Sequence, residues 1–312
     1  MRVVFMGTPD FAVASLDAIC HSSHQVVGVV TVPDRQAGRG LKTIASPVKQ
    51  YATDHALPLL QPEKLRDEAF LNALRAWQAD IFVVVAFRML PQVVWAMPPQ
   101  GTFNLHASLL PQYRGAAPIN WAIINGERES GVTTFMLNER IDEGALLLQR
   151  RCPISDSDTA ETLHDRLAAM GQTLVVETLD GIASKSLKPT LQPNPTNLKA
   201  APKIFKADCA IPWHKSGIEI RNFVRGLSPY PAATTTFIND KGEEIATKIF
   251  EVDFIADNNA LKGAIINDDK KSIKIGISDG YISILSLQIS GKKRISAEEF
   301  NRGYNISSWK LK

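Results

Sequence analysis

Asn104 and His106 stand two residues apart inside the apolar stretch Thr102-Phe103-Asn104-Leu105-His106, and a carboxylate, Asp142, ends a later run. In an extended strand, residues i and i+2 share a face, so the Asn104 amide and the His106 imidazole lie side by side. An amide donates to a developing oxyanion, an imidazole carries protons near neutral pH, and a carboxylate orients it. Together these are a working set for acyl transfer. The competing reading of a lone histidine is a hydrogen-bonded core residue. Against it stand Asn104 on the same face and the run Arg114-Gly115-Ala116-Ala117-Pro118, whose small residues let a substrate or another backbone approach. Asp142, followed by Glu143-Gly144, also reads as a plain turn residue.

The elements that must position these residues alternate. Residues 3–6 form a first strand. The turn Gly7-Thr8-Pro9-Asp10 follows, with Asp10 expected to cap a helix over 11–22. Residues 26–32 form a second strand, and Ser46-Pro47 opens a helix to about His55. The continuous apolar run 81–87 reads as a strand buried on both faces. Strands are expected over 102–106 and 131–137, and a long helix over 158–184 with Leu163, Leu167, Met170, Leu174 and Val175 on one side. This predicts an α/β domain, a Rossmann-like open and mostly parallel sheet, whose ligands bind at the carboxyl ends of the strands. His106 ends one such strand and Asp142 follows another. From 188 onward Pro189, Pro193, Pro195 and Pro202 lie among polar residues, as in an extended linker. A helix over 216–225 and short β segments at 233–238, 247–254, 263–266, 272–277 and 281–289 then predict a small C-terminal β-barrel of the oligonucleotide-binding (OB-like) type. The expected division is 1–189, linker 190–206 and 207–312.

With 312 residues, 45% hydrophobic and 21% charged, the composition is that of an ordinary globular chain, and the net charge of +3 neither demands nor excludes a nucleic-acid partner. No stretch approaches the ~20 apolar residues of a membrane span. The apolar N-terminal run is too short for a signal peptide. Cys20, Cys152 and Cys209 are far apart with no CxxC, so they read as small buried hydrophobes in a reducing cytoplasm rather than metal ligands. Gly7-Thr8-Pro9 lacks the GxGxxG spacing of a dinucleotide loop. Arg35, Arg39 and Lys42, among two glycines, read either as a solvated loop or as a basic arm that orders on an anionic partner. Lys292-Lys293-Arg294 is a second short basic cluster.

Asn104-x-His106, Ser108-Leu109-Leu110-Pro111-x-x-Arg114-Gly115 and Asp142 resemble the signature of the 10-formyltetrahydrofolate-dependent formyltransferases. Four further stretches are similar to the branch of that family acting on initiator tRNA. They are Phe5-Met6-Gly7-Thr8-Pro9-Asp10-Phe11-Ala12, Pro33-Asp34-Arg35-x-Ala37-Gly38-Arg39-Gly40, Gly115-Ala116-Ala117-Pro118-Ile119 and Ser286-Leu287-Gln288…Gly291-Lys292-Lys293. The likeness runs over nearly the whole chain. It departs at Arg88-Met89, where many members carry glycine and aliphatic residues, and at Glu143, where Thr-Gly after the aspartate is common. The resemblance implies that Asn104, His106 and Asp142 are catalytic. It implies that 10-formyltetrahydrofolate, the formyl donor, binds near Phe87, Arg88, Met89 and Leu90 and near Ser108, Leu109, Leu110 and Pro111. Arg39, Lys42, Lys292 and Lys293 would meet initiator methionyl-tRNA, the acceptor. No metal, membrane or obligate protein partner is implied. An amino sugar nucleotide is the alternative acceptor within the family.

Overall fold

The computed structural model describes residues 1–37, 42–267, 271–304 and 306–312. The chain divides into two compact units: Met1–Gly115 with Ser130–Cys152 and His164–Ala200, and Ala116–Glu129 with Pro153–Leu163 and Ala201–Lys312.

The first unit is built on a seven-stranded sheet. Its order is Leu146–Pro153, Glu129–Met136, Thr102–His106, Ile81–Val85, Arg2–Gly7, Gln25–Val30 and Leu59–Leu60. The pairings from Thr102–His106 to Leu59–Leu60 are all parallel. Glu129–Met136 runs antiparallel to Thr102–His106, with Asn104 opposite Phe135 and His106 opposite Thr133. The expected open, mostly parallel sheet is therefore present, with an antiparallel extension beside the strand that carries Asn104 and His106. All five residues of Ile81–Val85 are buried, as the unbroken apolar run requires. One core cluster joins Val4, Met6, Phe82 and Val84 of the sheet to Phe70, Leu71 and Leu74 of the helix Glu68–Ala76.

Two boundaries differ from expectation for local reasons. The first helix spans Asp10–Cys20, with Pro9 rather than Asp10 at the cap and no side-chain cap bond. Asp10 instead places its charge in the first turn, where the helix dipole favours it. The strand at 81 stops at Val85 because Ala86 turns to φ 47°. The strand Leu146–Pro153 and the helix Glu68–Ala76 were not anticipated. By contrast Ser46 caps Pro47–Asp54 as expected: its hydroxyl accepts the Lys49 N–H at 3.1 Å, and Pro47 takes the first helical position.

The second unit is an antiparallel, barrel-like sheet. Its strand order is Ile265–Ile266, Ile273–Ile277, Gly280–Ile289, Glu244–Ala256, Ala233–Ile238 and Lys310–Leu311, with Ile295–Ser296 also pairing Gly280–Ile289. Irregular register around Glu251 curls the two longest strands. Phe237, Ile249, Ile275, Ile282, Ile284 and Leu287 fill the interior. Helix Gly217–Leu227 opens with a reciprocal cap between Ser216 and Glu219 and packs Ile220, Val224 and Leu227 onto that core. The helix Ala297–Gly303, unanticipated, adds Phe300.

Candidate active site

His106 is the last residue of its strand and is buried. Its Nε2 lies 2.8 Å from the Tyr113 carbonyl oxygen. A carbonyl only accepts, so Nε2 carries a proton and donates it. Nδ1 is left clear of that bond, and it faces Asp142 Oδ2 at 3.8 Å. That is an ion-pair distance rather than a hydrogen bond. The group that fixes the imidazole is thus a backbone carbonyl, and Asp142 faces the other ring edge. Asn104 sits one alternation earlier in the same strand, hence on the same face, half-buried and with no side-chain hydrogen-bond partner among the described residues. Its amide is free to donate.

Asp142 Oδ2 accepts the Gly115 N–H at 2.9 Å. Gly115 adopts φ 124°, which a side chain would oppose, so glycine is needed for that N–H to point at the carboxylate. Asp142 itself adopts φ 55°, Tyr113 φ 61° and Ala86 φ 47°. Left-handed backbone is sparse for residues with a Cβ, and three such residues stand in loops around the strand ends. Gly144 keeps the Asp142 turn flat against the sheet: a Cβ there would lie 1.6 Å from the Met136 carbonyl oxygen.

The segment 87–90 leaves the sheet at that same edge. Leu90 is buried, Phe87 is half-buried and Met89 is 72% exposed, an apolar side chain left uncovered. The Arg88 guanidinium donates to the carbonyls of Glu63, at 2.8 Å, and Pro62, and lies 5.6 Å from the Phe87 ring. Burial pushes its pKa below the ordinary arginine value. Arg88 therefore pins this loop. The second expected stretch, Ser108 to Pro111, is held by side chains the sequence reading missed. Leu110 donates its N–H to Thr133 Oγ1 at 3.3 Å, and Gln149 Nε2 donates to the Leu110 carbonyl at 3.1 Å. Ser108 Oγ donates to the Gln112 carbonyl at 2.6 Å. Thr133 lies on Glu129–Met136 and Gln149 on the unanticipated edge strand Leu146–Pro153, both more than twenty residues downstream, and nothing in their local sequence marks them.

Of the basic residues singled out, Arg39 lies outside the described residues. Lys42 pairs through its backbone with Ala37 in the hairpin Arg35–Ala37/Lys42–Ile44. Lys292 and Lys293 are exposed in the turn after Gly280–Ile289. Arg294 beside them is engaged, 4.5 Å from the Phe250 ring centre and bonded to Ser286 Oγ. The second unit also holds a groove of about 450 Å³ with Lys203, Lys206, Lys248 and Tyr230 in its wall. Tyr230 is 82% exposed. These lysines are scattered through the sequence, so no charge run announces them.

Among the described residues no group of three or more His, Cys, Asp or Glu assembles that could hold a metal, and no helix is long and apolar enough to cross a membrane. All three cysteines are free. Cys152 and Cys209 are buried, and burial raises the Cys20 and Cys209 thiols above their ordinary pKa.

A family model described as formyl transferase matches residues 1–179, and one described as formyl transferase, C-terminal domain, matches 203–305. The methionyl-tRNA formyltransferase of Bacteroides thetaiotaomicron is 53% identical over 311 residues, covering 98% of this chain and 97% of that one. That of Flavobacterium johnsoniae is 50% identical over 307 residues, with 98% and 97% covered. Among solved structures, the N-formyltransferase from Helicobacter canadensis, in complex with folinic acid and dTDP-3-aminofucose, superposes with a TM-score of 0.63 at 20% identity, covering 95% of this chain and 100% of that one. HypX from Aquifex aeolicus, in complex with tetrahydrofolic acid, gives 0.61 at 18%, covering 96% and 46%. At such identities the structures share a fold and no more. Both domain matches and end-to-end identity near one half lead to the same place: the chain belongs to the formyl transferase family, alongside the methionyl-tRNA formyltransferases.

Proposed function

We infer that this protein transfers the formyl group of 10-formyltetrahydrofolate to the α-amine of methionine on initiator methionyl-tRNA, in the cytoplasm where translation runs. The observation that carries the chemistry is the Asn104 amide, without a partner among the described residues, on the same strand face as His106, whose Nδ1 lies 3.8 Å from Asp142. The acceptor is supported by relatives named for that substrate over nearly the full length.

The donor supplies a formyl carbonyl on N10. As the amine attacks its carbon, charge develops on the former carbonyl oxygen, the C–N10 bond then breaks, and the proton the amine loses ends on N10. Asn104 donates to the developing oxyanion, and one such donor is typically worth about 3–4 kcal/mol. His106, with Nε2–H occupied by Tyr113, offers Nδ1: protonated it adds a second donor, neutral it receives the amine proton. The Asp142 carboxylate stabilises positive charge on both the imidazole and the attacking amine. The amine is itself the nucleophile, so no covalent enzyme intermediate is required. Holding amine and formyl carbon in line contributes up to about 7–11 kcal/mol in ideal cases. The folate fits the loops 87–90 and 108–111: exposed Met89 offers an apolar surface to a planar ring, and the left-handed Ala86 turns the backbone outward there. On this reading Phe87, Arg88 and Leu90, with Ser108, Leu109, Leu110 and Pro111, bind the folate, Arg88 by anchoring its loop to the Glu63 and Pro62 carbonyls.

On this reading residues 1–189 carry the chemistry, and 207–312, reached through 190–206, carry tRNA through Lys292 and Lys293, with Arg39 and Lys42 meeting the acceptor end. The groove of Lys203, Lys206 and Lys248 supports this role, since lysines with an exposed tyrosine suit a phosphate backbone and an unstacked base. The test offers the enzyme and 10-formyltetrahydrofolate two acceptors in separate reactions, methionyl-initiator tRNA and a dTDP-amino sugar. Formylated methionyl-tRNA with the sugar untouched is the expected result. Formylated sugar with unreacted methionyl-tRNA overturns the acceptor while leaving the donor chemistry in place.

A further inference from the structure

We propose that Gln192 is a positioning residue for formyl transfer, its amide holding the Asp142 turn so that the carboxylate faces His106. The proposal rests on the reading of Asp142 as a working group in that reaction.

Gln192 lies fifty residues from Asp142, within the proline-rich stretch that reads as a linker. Its two N–H donors are both used, one on the Asp142 carbonyl and one on the Gly144 carbonyl, each at 2.8 Å. Its oxygen accepts from Arg114 Nη2 at 2.7 Å and Nε at 3.2 Å. A side-chain amide has two donors and one oxygen with two lone pairs, so every valence of Gln192 is spent on this one junction. The remaining Arg114 nitrogen pairs with Glu143 at 3.1 Å, which closes a ring around the turn. Two residues before Gln192, Thr190 exchanges both backbone hydrogen bonds with Leu146, at 2.7 and 2.9 Å. The side chain therefore projects from a fixed backbone.

What the amide joins is informative. Arg114 sits between Tyr113, whose carbonyl fixes His106, and Gly115, whose N–H holds the Asp142 carboxylate. Tyr113 in turn donates its own N–H to the Lys199 carbonyl at 2.6 Å, further along the same stretch. So residues 190–199 grip both halves of the pair: Lys199 behind the residue that orients the imidazole, and Gln192 behind the residue that bears the carboxylate. Asp142 sits in a left-handed conformation, sparsely populated by residues with a Cβ even though aspartate tolerates it, so neighbours that hold the turn help fix its place. Two hydrogen bonds to the carbonyls flanking Glu143 supply that constraint.

The test uses the full-length enzyme with Gln192→Leu and Gln192→Glu. Leucine removes all four bonds. Glutamate keeps the shape and the acceptor for Arg114 but sets an oxygen against two carbonyls. Displacing a reacting group by about 1 Å can cost on the order of 10²-fold. Both variants are expected to lose about 10- to 100-fold in kcat, with KM for folate and for methionyl-tRNA within about twofold of wild type. A role in folding alone would lower the melting temperature and the active fraction, and kcat per folded enzyme molecule would then stay at the wild-type value. Should Gln192→Leu melt early, Gln192→Glu decides. Wild-type kcat in a folded Gln192→Glu variant overturns the proposal. Wild type assayed alongside separates the two claims: an active wild type with an equally active variant removes Gln192 alone, whereas a wild type that forms no formyl-methionyl-tRNA removes the reading beneath it.

Discussion

His106 gives its Nε2 proton to a backbone carbonyl, so its other nitrogen faces Asp142, and in the proposed mechanism that nitrogen and the Asn104 amide form the reactive face, each side chain with a separable task. Replacing Asn104 by alanine removes one oxyanion donor and is expected to lower kcat by about 10²–10³-fold with little change in either KM. Steady-state kinetics at saturating donor check this, and an unchanged kcat removes Asn104 from the mechanism. Asp142→Asn keeps an oxygen to accept the Gly115 N–H but loses the charge, so kcat should fall while the melting temperature holds. A wild-type rate would make the carboxylate dispensable. The residues of this face were legible because their types and spacing encode chemistry. The Tyr113 carbonyl was not, since every residue has one and only the fold brings it to His106. Thr133 and Gln149 escaped for a related reason: an ordinary Thr or Gln gains its role from a strand pairing that no local pattern announces.

Elements position this face by ending where they do. Four of the five parallel strands were readable from apolar runs, and the helix Pro47–Asp54 from its Ser46-Pro47 start, whereas the two-residue strand Leu59–Leu60 was not. Helix Glu68–Ala76 and the edge strand Leu146–Pro153 were not, the strand because its exposed centre carries Gln149, Arg150 and Arg151 instead of an apolar run. The Asp142 turn lies so close to Glu129–Met136 that Gly144→Ala must push it away from the Met136 carbonyl. That variant should lose both melting temperature and kcat, and thermal denaturation beside an activity assay reads the two together. At the other edge, Asp34 precedes the basic hairpin and binds Lys49 Nζ at 2.5 Å and Gln61 Nε2 at 2.8 Å. The Lys49 bond first, then Gln61, holds its carboxyl below the ordinary carboxylate range. A depressed folded-state pKa adds stability above the unfolded value, about 3.9, and that stability is lost as pH falls through the folded value. Asp34→Asn should therefore lower the melting temperature at neutral pH, by an amount that shrinks below about pH 4. A difference independent of pH would mean the charge contributes nothing.

At the scale of the whole molecule, a nearly balanced chain must bind a polyanion by arrangement rather than by bulk charge. The lysines of the second-unit groove, exposed and brought together only by folding, supply such an arrangement. Lys206→Ala should raise KM for methionyl-tRNA, leave KM for folate unchanged and flatten the salt dependence of tRNA binding by a slope of roughly 0.7–0.9. An unaltered slope would place the phosphates elsewhere. The α/β sheet and the barrel-like unit were both readable as classes, whereas this groove was not, because it is assembled from residues far apart in the chain. One reaction at one face underlies every role assigned to these residues, and a single-turnover assay reaches it most directly. Purified protein and 10-formyltetrahydrofolate are mixed with methionyl-initiator tRNA, and formyl-methionyl-tRNA is followed for wild type and a folded His106→Ala variant. Rapid formylation by wild type and a loss of orders of magnitude in the variant is the predicted result. Equal rates in the two proteins, or no formyl-methionyl-tRNA from wild type, would contradict it.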